Sequence, residues 1–228
     1  MSMSLTEYQG FLKEHPPLPA SDRRVVMVRA IGQRLATAAT AYLQENGAGD
    51  RVADFSWEFN VVADSTVNAW CMPGGKVVVY TGLLPVTRDE TGLALVMGHE
   101  IAHAIARHGN ERMSQAITLQ GIGMTLEALL SQNPTTASNL FLQAFGIGGQ
   151  FGLLAYSRKQ ESEADKMGLV FMAMAGYDPR VAPQFWERMA AQGGAKPPEL
   201  FSTHPSDDRR IRDLEAYMDE ALKYYKPR

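Results

Sequence analysis

The chain has 228 residues, 45% of them hydrophobic, which is enough to bury the core of one domain. It contains 22 basic and 25 acidic residues, and no basic stretch typical of a phosphate-binding surface, so we expect no nucleic-acid partner. The single cysteine, Cys71, excludes an intramolecular disulfide and a cysteine-based zinc knuckle, and we interpret it as a small buried hydrophobic residue.

The start of the chain and one uncharged segment bear on domain organisation and membrane contact. We expect residues 1–20, with the proline-rich segment 16–19, to form an irregular leader, and residues 21–228 to form a single domain. The first residues have neither the basic nor the apolar region of a signal peptide. Residues 128–157 lack charge, but residues 133–136 interrupt them, and the remainder is too short and too polar to span a membrane. We therefore interpret this segment as a buried helix or a flap, with contact at the membrane periphery as the alternative.

Hydrophobic periodicity predicts a mostly helical chain with two strands. The predicted class is α+β, in which helices pack around a small sheet. The predicted helices span about 22–46, 87–108, 111–130, 152–175, 179–191 and 207–224, and the predicted strands span 55–61 and 76–80.

The sequence His99-Glu100-Ile101-Ala102-His103 has the spacing of a zinc peptidase motif. On a helix, residues i and i+4 lie on one face, so His99 and His103 can bind one metal ion. Glu100 then lies beside the metal, where its carboxylate can activate a water molecule. Apolar residues surround the motif and predict that its helix is deeply buried.

A catalytic zinc usually takes three protein ligands and leaves its fourth position to water. Glu161 and Asp165 are i and i+4 on one helical face and offer carboxylates for the third position. Glu163 is rotated from Glu161 by about 200°, at roughly 100° per residue. One helix cannot aim both glutamates at one ion, and periodicity alone does not choose between them. The Glu161/Asp165 pair supplies a ligand and a carboxylate that orients a histidine, as metal sites generally require.

Several further blocks occur in order along the chain. They are Asn68 to Gly75, Tyr80 to Leu84, the motif at His99 to His103 with Arg107-His108, Glu161 to Asp165, and Thr203-His204-Pro205 with Arg210-Ile211. In these blocks the chain resembles the zinc metallopeptidases of the HtpX heat-shock protease and CAAX prenyl endopeptidase family. It is most similar to their soluble, periplasmic BepA-like members, over about residues 55–215.

The resemblance implies a zincin-like domain of the gluzincin type, with the motif on a buried helix. The family pattern Glu-x-x-x-Asp makes Glu161 the third ligand and places Asp165 beside the ligands. The loop histidine and the later arginine of the family fall on His204 and Arg210, at the rim of the metal site. One zinc ion per chain is implied, although the donor set also suits manganese, cobalt or nickel.

These residues predict peptide-bond hydrolysis by a water molecule that zinc activates. Glu100 would take the proton of that water and pass it to the leaving amine. His204 and Arg210 are candidates for stabilising the tetrahedral oxyanion. Each also has a plainer interpretation, because His204 precedes a proline and suits a turn, and Arg210 lies among charged residues and suits an ion pair at a helix start. His108 is interpreted as a helix-end residue.

The second predicted strand is a candidate for binding the substrate. Pairing of a peptide with a strand edge favours extended, unfolded polypeptide, because main-chain hydrogen bonds supply the affinity. Asn68 would support this edge or contact the substrate backbone. The strand residues concerned are Lys76, Val77, Val78 and Val79.

The leading function is a zinc endopeptidase that degrades misfolded protein in quality control. The resemblance places it in the bacterial cell envelope, in the periplasm, with the cytoplasm as the alternative. Two competing functions keep the fold and the zinc: a chaperone or assembly factor that cleaves little, and a latent protease whose fourth metal position is filled by His204. The sequence leaves the oligomeric state open.

Overall fold

The computed structural model describes most of the chain as an α+β fold, as the sequence predicts. The residues that it describes are 2–119, 134–145, 147, 156–191, 200, 204 and 208–227. Their helices are α1 (Ser2–Glu14), α2 (Arg23–Glu45), α3 (Leu84–Thr87), α4 (Glu90–Ala106), α5 (His108–Leu119), α6 (Pro134–Ala144), α7 (Arg158–Met174), α8 (Ala182–Ala191) and α9 (Asp208–Leu222). The strands are β1 (Glu58–Val62), β2 (Ala69–Met72) and β3 (Lys76–Tyr80), and short 3-10 turns lie at Gly49–Val52, Thr81–Leu83 and Pro179–Val181.

The sheet has the strand order β1-β3-β2. β1 runs parallel to β3, and β2 runs antiparallel to it through the tight turn at Gly75, whose φ of +81° favours glycine. β2 was not predicted, because all four of its residues are buried and its sequence therefore has no alternation of polar and apolar residues.

β3 is the central strand, which overturns one prediction from the sequence. Val78 pairs with Asn60 of β1 on one side and with Trp70 of β2 on the other. Both backbone edges of β3 are therefore already hydrogen-bonded within the sheet. The expectation that a substrate pairs with the edge of this strand is wrong for Lys76, Val77, Val78 and Val79.

The first residues of the chain form helix α1, so the prediction of an irregular leader over residues 1–20 is wrong. The rings of Tyr8 and Phe11 pack edge-on against Trp70, with centroid distances of 6.3 and 5.0 Å. The Ser4 hydroxyl donates a hydrogen bond of 2.7 Å to the Pro73 carbonyl. The helix is therefore stabilised by one face of the sheet, a long-range contact that local sequence does not reveal.

Several helices begin and end at signals present in the sequence. Asp22 caps α2 and Asp89 caps α4, each with its side chain accepting a backbone hydrogen bond. α7 begins at 158 rather than near 152, because Ser157 and Gln160 form a capping box. Pro134 begins α6 instead of marking a break.

Two predicted segments are only partly described. The predicted helix over 111–130 is seen as far as Leu119 at the end of α5, and its remainder lies outside the described residues. The uncharged segment is helical over α6, and most of its continuation also lies outside them. Among the described helices, none is both long and apolar enough to cross a membrane.

Candidate metal centre

The two motif histidines lie on successive turns of α4, as predicted, and are almost fully buried. His99 is 1% exposed and His103 is 2% exposed. α4 packs against α7, whose first turn carries Glu161. His204 reaches the same point from the segment between α8 and α9. The fold therefore brings the motif histidines together with Glu161 and His204, which the family resemblance placed at the metal site.

Donor atoms of four side chains, His99, His103, Glu161 and His204, converge on one point. Nε2 of His99 lies 3.0 Å from Nε2 of His103 and 3.1 Å from Nδ1 of His204. Oε1 of Glu161 lies 3.3 Å from Nε2 of His103 and 2.9 Å from Nδ1 of His204. Ligands at about 2.0–2.1 Å from a tetrahedral zinc ion are themselves about 3.3 Å apart. The spacing and the nitrogen and oxygen chemistry of these atoms therefore fit one zinc ion.

The geometry separates the two glutamates that sequence periodicity could not. Glu161 is 2% exposed and points into the cluster. Glu163 lies on the opposite side of α7, its side chain is 48% exposed, and its Oε2 is 3.5 Å from Nε2 of His108. Glu161 is thus the carboxylate of α7 that is placed to bind the metal.

Asp165 lies one turn after Glu161 and orients a motif histidine. Its Oδ1 atom is 3.0 Å from Nδ1 of His99. A proton on Nδ1 of His99 would be shared with this carboxylate, which leaves Nε2 as the metal-binding nitrogen. The i, i+4 spacing of Glu161 and Asp165 agrees with this placement, and the role of Asp165 in metal binding stays a prediction.

Arg210 lies behind the ligands rather than at the rim of the site. Its Nε and Nη2 atoms donate hydrogen bonds of 2.6 and 2.8 Å to the two oxygens of Asp165, and its Nη1 lies 2.7 Å from Oε2 of Glu161. The guanidinium also stacks on Trp186, 3.8 Å from the ring centre. Burial would raise the pKa of Asp165, but the Arg210 charge holds that pKa below its ordinary value. Arg210 therefore fixes two carboxylates, and its ion pair is made with α7 rather than with its own helix.

Glu100 lies beside the cluster but is not one of the four converging donors. It is 4% exposed, and Oε1 lies 3.3 Å from Nε2 of His204. No atom of the described residues makes a hydrogen bond with this Oε1. Burial raises the pKa of Glu100, because the charged form loses its hydration. A buried carboxylate with a free acceptor suits a group that takes a proton.

Sequence reasoning missed the contacts of three residues next to the motif. The ring of Tyr156 lies against His103, with a centroid distance of 4.0 Å, and the Arg112 guanidinium stacks on its other side at 3.9 Å. His108 begins α5 rather than ending α4, and its Nδ1 is 2.9 Å from Nδ1 of His103. The positions of these residues depend on the turn at Arg107 and on α7, so only the proximity of His108 in sequence could have indicated its contact.

Asn68 is buried at the start of β2 and takes part in the sheet. Its side-chain oxygen accepts a hydrogen bond of 2.9 Å from the backbone N–H of Ala69, and its carbonyl accepts one of 3.1 Å from Tyr80. These bonds join Asn68 to the start of β2 and to the end of β3, and its predicted role at a substrate-binding edge stays a prediction.

The mostly helical fold, the small sheet and the buried His/Glu cluster together define a zincin-like metallopeptidase domain. The model of peptidase family M48 matches residues 26–218, so the chain belongs to this family. The resemblance to a zinc metallopeptidase family is thereby confirmed.

The chain is similar to curated proteins of two kinds. It is 41% identical over 172 residues to the mitochondrial metalloendopeptidase OMA1 of Schizosaccharomyces pombe, which covers 75% of this chain and 49% of that protein. It is 31% identical to the OMA1 of Homo sapiens, over 97% of this chain and 43% of that protein. It is 32% identical to the beta-barrel assembly-enhancing protease of Yersinia pestis, over 69% of this chain and 33% of that protein.

The chain spans about half or less of the length of these relatives. Because both kinds of relative match, a placement nearest to the HtpX, CAAX or BepA-like members stays a prediction. Some relatives are named as mitochondrial proteins and another is named for β-barrel assembly. The cellular compartment of this chain therefore also stays a prediction.

Proposed function

We propose that this protein is a zinc-dependent endopeptidase that hydrolyses peptide bonds of unfolded or misfolded proteins. The observation that carries the proposal is the convergence of His99, His103 and Glu161 beside the buried carboxylate of Glu100. Membership of peptidase family M48 and the names of the relatives support a metalloendopeptidase activity. His99, His103 and Glu161 would hold the metal, and the reaction would use the fourth position, where Nδ1 of His204 now lies.

Each residue of the site has a task in this proposal. When bound, the zinc ion supplies Lewis acidity that polarises the scissile carbonyl and lowers the pKa of the attacking water. Glu100 accepts the proton of that water and delivers it to the leaving amine, because its Oε1 is buried beside the cluster without a hydrogen-bond donor among the described residues. Asp165 orients His99, and Arg210 holds Asp165 and Glu161 in place. This orienting role replaces the oxyanion role expected for Arg210, because the guanidinium is directed at carboxylates.

An extended polypeptide is the substrate that the fold favours. β2 pairs with β3 on one side only within the described residues, and it packs against α4, so its other edge is the backbone edge proposed to align a substrate. A groove of about 610 Å³ between α7 and α9 borders Glu161 and offers a route toward the site. A folded protein rarely presents an extended strand without partners, which favours unfolded chains.

The cell envelope is the compartment that we include in the proposal. One kind of relative is named for the assembly of β-barrels, which are found in outer membranes. Removal of misfolded chains in that setting agrees with the substrate class that the site favours. Contact with the membrane periphery is part of the same proposal.

A latent protease, or an assembly factor with low proteolytic activity, is the second candidate. Nδ1 of His204 lies 3.1 Å from Nε2 of His99, where a fourth ligand would stand. Glu100 and the three ligand residues are all less than 5% exposed. A substrate can reach the fourth position of the metal only when His204 leaves it. This arrangement favours low activity while His204 stays in place.

Casein digestion tests the leading proposal, because casein is unfolded. We expect cleavage that a metal chelator abolishes and that added zinc restores. Glu100→Gln should keep the metal and lose at least about 100-fold in turnover, since general base catalysis contributes that much or more. Cleavage that survives the chelator, or full activity of the variant with its zinc bound, would overturn the mechanism. Suppression of aggregation by a wild-type protein that leaves casein intact would instead favour the assembly factor.

A further inference from the structure

The second motif histidine is hydrogen-bonded to another histidine outside the donor cluster. Nδ1 of His103 and Nδ1 of His108 lie 2.9 Å apart, and His108 is 2% exposed. His99 has a carboxylate, Asp165, in the corresponding position. The two metal-binding imidazoles are therefore held by different chemical groups.

The proton between the two imidazoles can be assigned from their surroundings. Nε2 of His103 lies in the donor cluster, so its lone pair is needed there and its proton resides on Nδ1. Nδ1 of His108 must then be the acceptor of the hydrogen bond from His103. The single ring proton of His108 is therefore on its Nε2. That Nε2 faces Oε2 of Glu163 at 3.5 Å, and the carboxylate favours a proton at this position.

The backbone fixes His108 in this acceptor position. Arg107 ends α4 in a left-handed conformation with φ of 63°, and His108 is the first residue of α5. The positive end of a helix dipole disfavours a charged imidazole, which agrees with a neutral acceptor. Tyr156 covers the face of His103, with a centroid distance of 4.0 Å, and limits rotation of that ring.

We propose that His108 is a positioning residue of the metal centre. Its Nδ1 accepts a hydrogen bond from the Nδ1–H group of His103, which fixes the ring orientation and the tautomer of His103 that bind the metal. Glu163 in turn fixes the tautomer of His108. The proposal rests on the metal site of the proposed function and adds the residue that orients its second imidazole. A hydrogen-bond partner of this kind also raises the basicity of the ligand.

A pair of amide substitutions separates the hydrogen bond from simple packing. In His108→Asn the side-chain oxygen is bonded to Cγ and can stand where Nδ1 stands now. In His108→Gln the amide is one bond farther from the backbone, near the position of Nε2 of His108. A methylene group then faces Nδ1 of His103, where it cannot accept a hydrogen bond. His108→Leu keeps the bulk and removes every acceptor.

Zinc affinity, measured by competition with a chromophoric chelator at fixed pH, is the main readout. We expect His108→Leu and His108→Gln to weaken zinc binding by about 10- to 100-fold, and His108→Asn to stay within about threefold of wild type. The visible spectrum of the cobalt-loaded protein should change in the first two variants and be retained in the third. Circular dichroism of each metal-free variant checks that the fold is intact.

Zinc affinity of His108→Leu within twofold of wild type would overturn the proposal. Equal losses in His108→Asn and His108→Gln, or unchanged cobalt spectra in all variants, would overturn it as well. Casein cleavage is measured separately on the wild type. A wild-type protein that binds zinc but does not cleave casein would overturn the proposed function. The zinc affinities of the His108 variants relative to the wild type would still test the role of His108.

Discussion

Gly98 of α4 and Gly168 of α7 face each other where the two helices cross. A Cβ atom on Gly168 would lie 3.0 Å from the backbone nitrogen of His99, and one on Gly98 would lie 3.2 Å from the carbonyl oxygen of Gly168. The absence of side chains at both positions allows the two backbones to approach closely. Because His99 follows Gly98 directly, this crossing sets the distance between the imidazoles of α4 and the carboxylates of α7.

Gly168→Ala is expected to lower both zinc affinity and stability. The added methyl group meets backbone atoms, which cannot rotate away, so the helices must separate by a few tenths of an ångström. Overpacking of this kind costs about 1–3 kcal/mol, offset by roughly 1 kcal/mol from the better helix propensity of alanine. Thermal unfolding and chelator competition measure the two effects.

Gly10→Ala provides the matched control for that substitution. Gly10 lies in the middle of α1, and a Cβ there meets no atom within 4 Å. It should stabilise the protein by up to about 1 kcal/mol and leave zinc affinity unchanged. Wild-type zinc affinity in Gly168→Ala would show that the close crossing does not set the metal geometry.

The parts of the fold that could be predicted from sequence are those with local signals. α4 combines a capping aspartate, Asp89, with the motif and an apolar surface on every side, and it was predicted nearly to its ends. β3 is a run of β-branched residues between a glycine turn and a tyrosine, and it too was predicted. In both cases the local preference agrees with the tertiary environment.

The parts that could not be predicted depend on contacts between distant segments. β3 has the composition of a strand, but only the pairing of β1 and β2 with it makes it central. Periodicity did not choose between Glu161 and Glu163; the family resemblance named Glu161, and the position of α4 relative to α7 supplies the physical reason. The contact of His108 with His103 needed the left-handed turn at Arg107. Each of these facts is a relation between elements, and periodicity within one element does not contain it.

Arg210→Met is expected to destabilise the metal-free protein strongly at neutral pH. The variant leaves two buried carboxylates, Asp165 and Glu161, without their cation, and loss of one partner from such a group costs about 3–5 kcal/mol. Chemical denaturation in the presence of a chelator measures the difference from wild type.

The cost of Arg210→Met should shrink as the pH falls. In the wild type the pKa values of Asp165 and Glu161 lie below their ordinary values, so the stability they contribute is present above about pH 4 and is lost as the pH falls further. Without the arginine, these pKa values lose the lowering effect of its charge and rise relative to the wild type, so protonation at lower pH removes part of the cost of the substitution. The two stabilities should therefore approach each other between pH 7 and about pH 4.

Arg209→Met is the matched control for Arg210→Met, because it removes the charge of the adjacent arginine in the sequence. Arg209 is exposed, and its Nε lies 3.8 Å from Asp213. Exposed ion pairs contribute at most about 1 kcal/mol, so this variant should match the wild type at every pH. A cost for Arg210→Met that is independent of pH would show that lost packing on Trp186, rather than unpaired charge, is responsible.

His204→Ala distinguishes an active enzyme from a latent one. Nδ1 of His204 lies 3.1 Å from Nε2 of His99 and 2.9 Å from Oε1 of Glu161, which is the place of a fourth ligand. Its removal opens this position to water and substrate, so we expect faster casein cleavage together with weaker zinc binding. Both are measured on the same preparation, with turnover expressed per bound zinc. Loss of turnover per bound zinc would instead assign His204 to transition-state stabilisation, because an oxyanion donor contributes about 100- to 1000-fold.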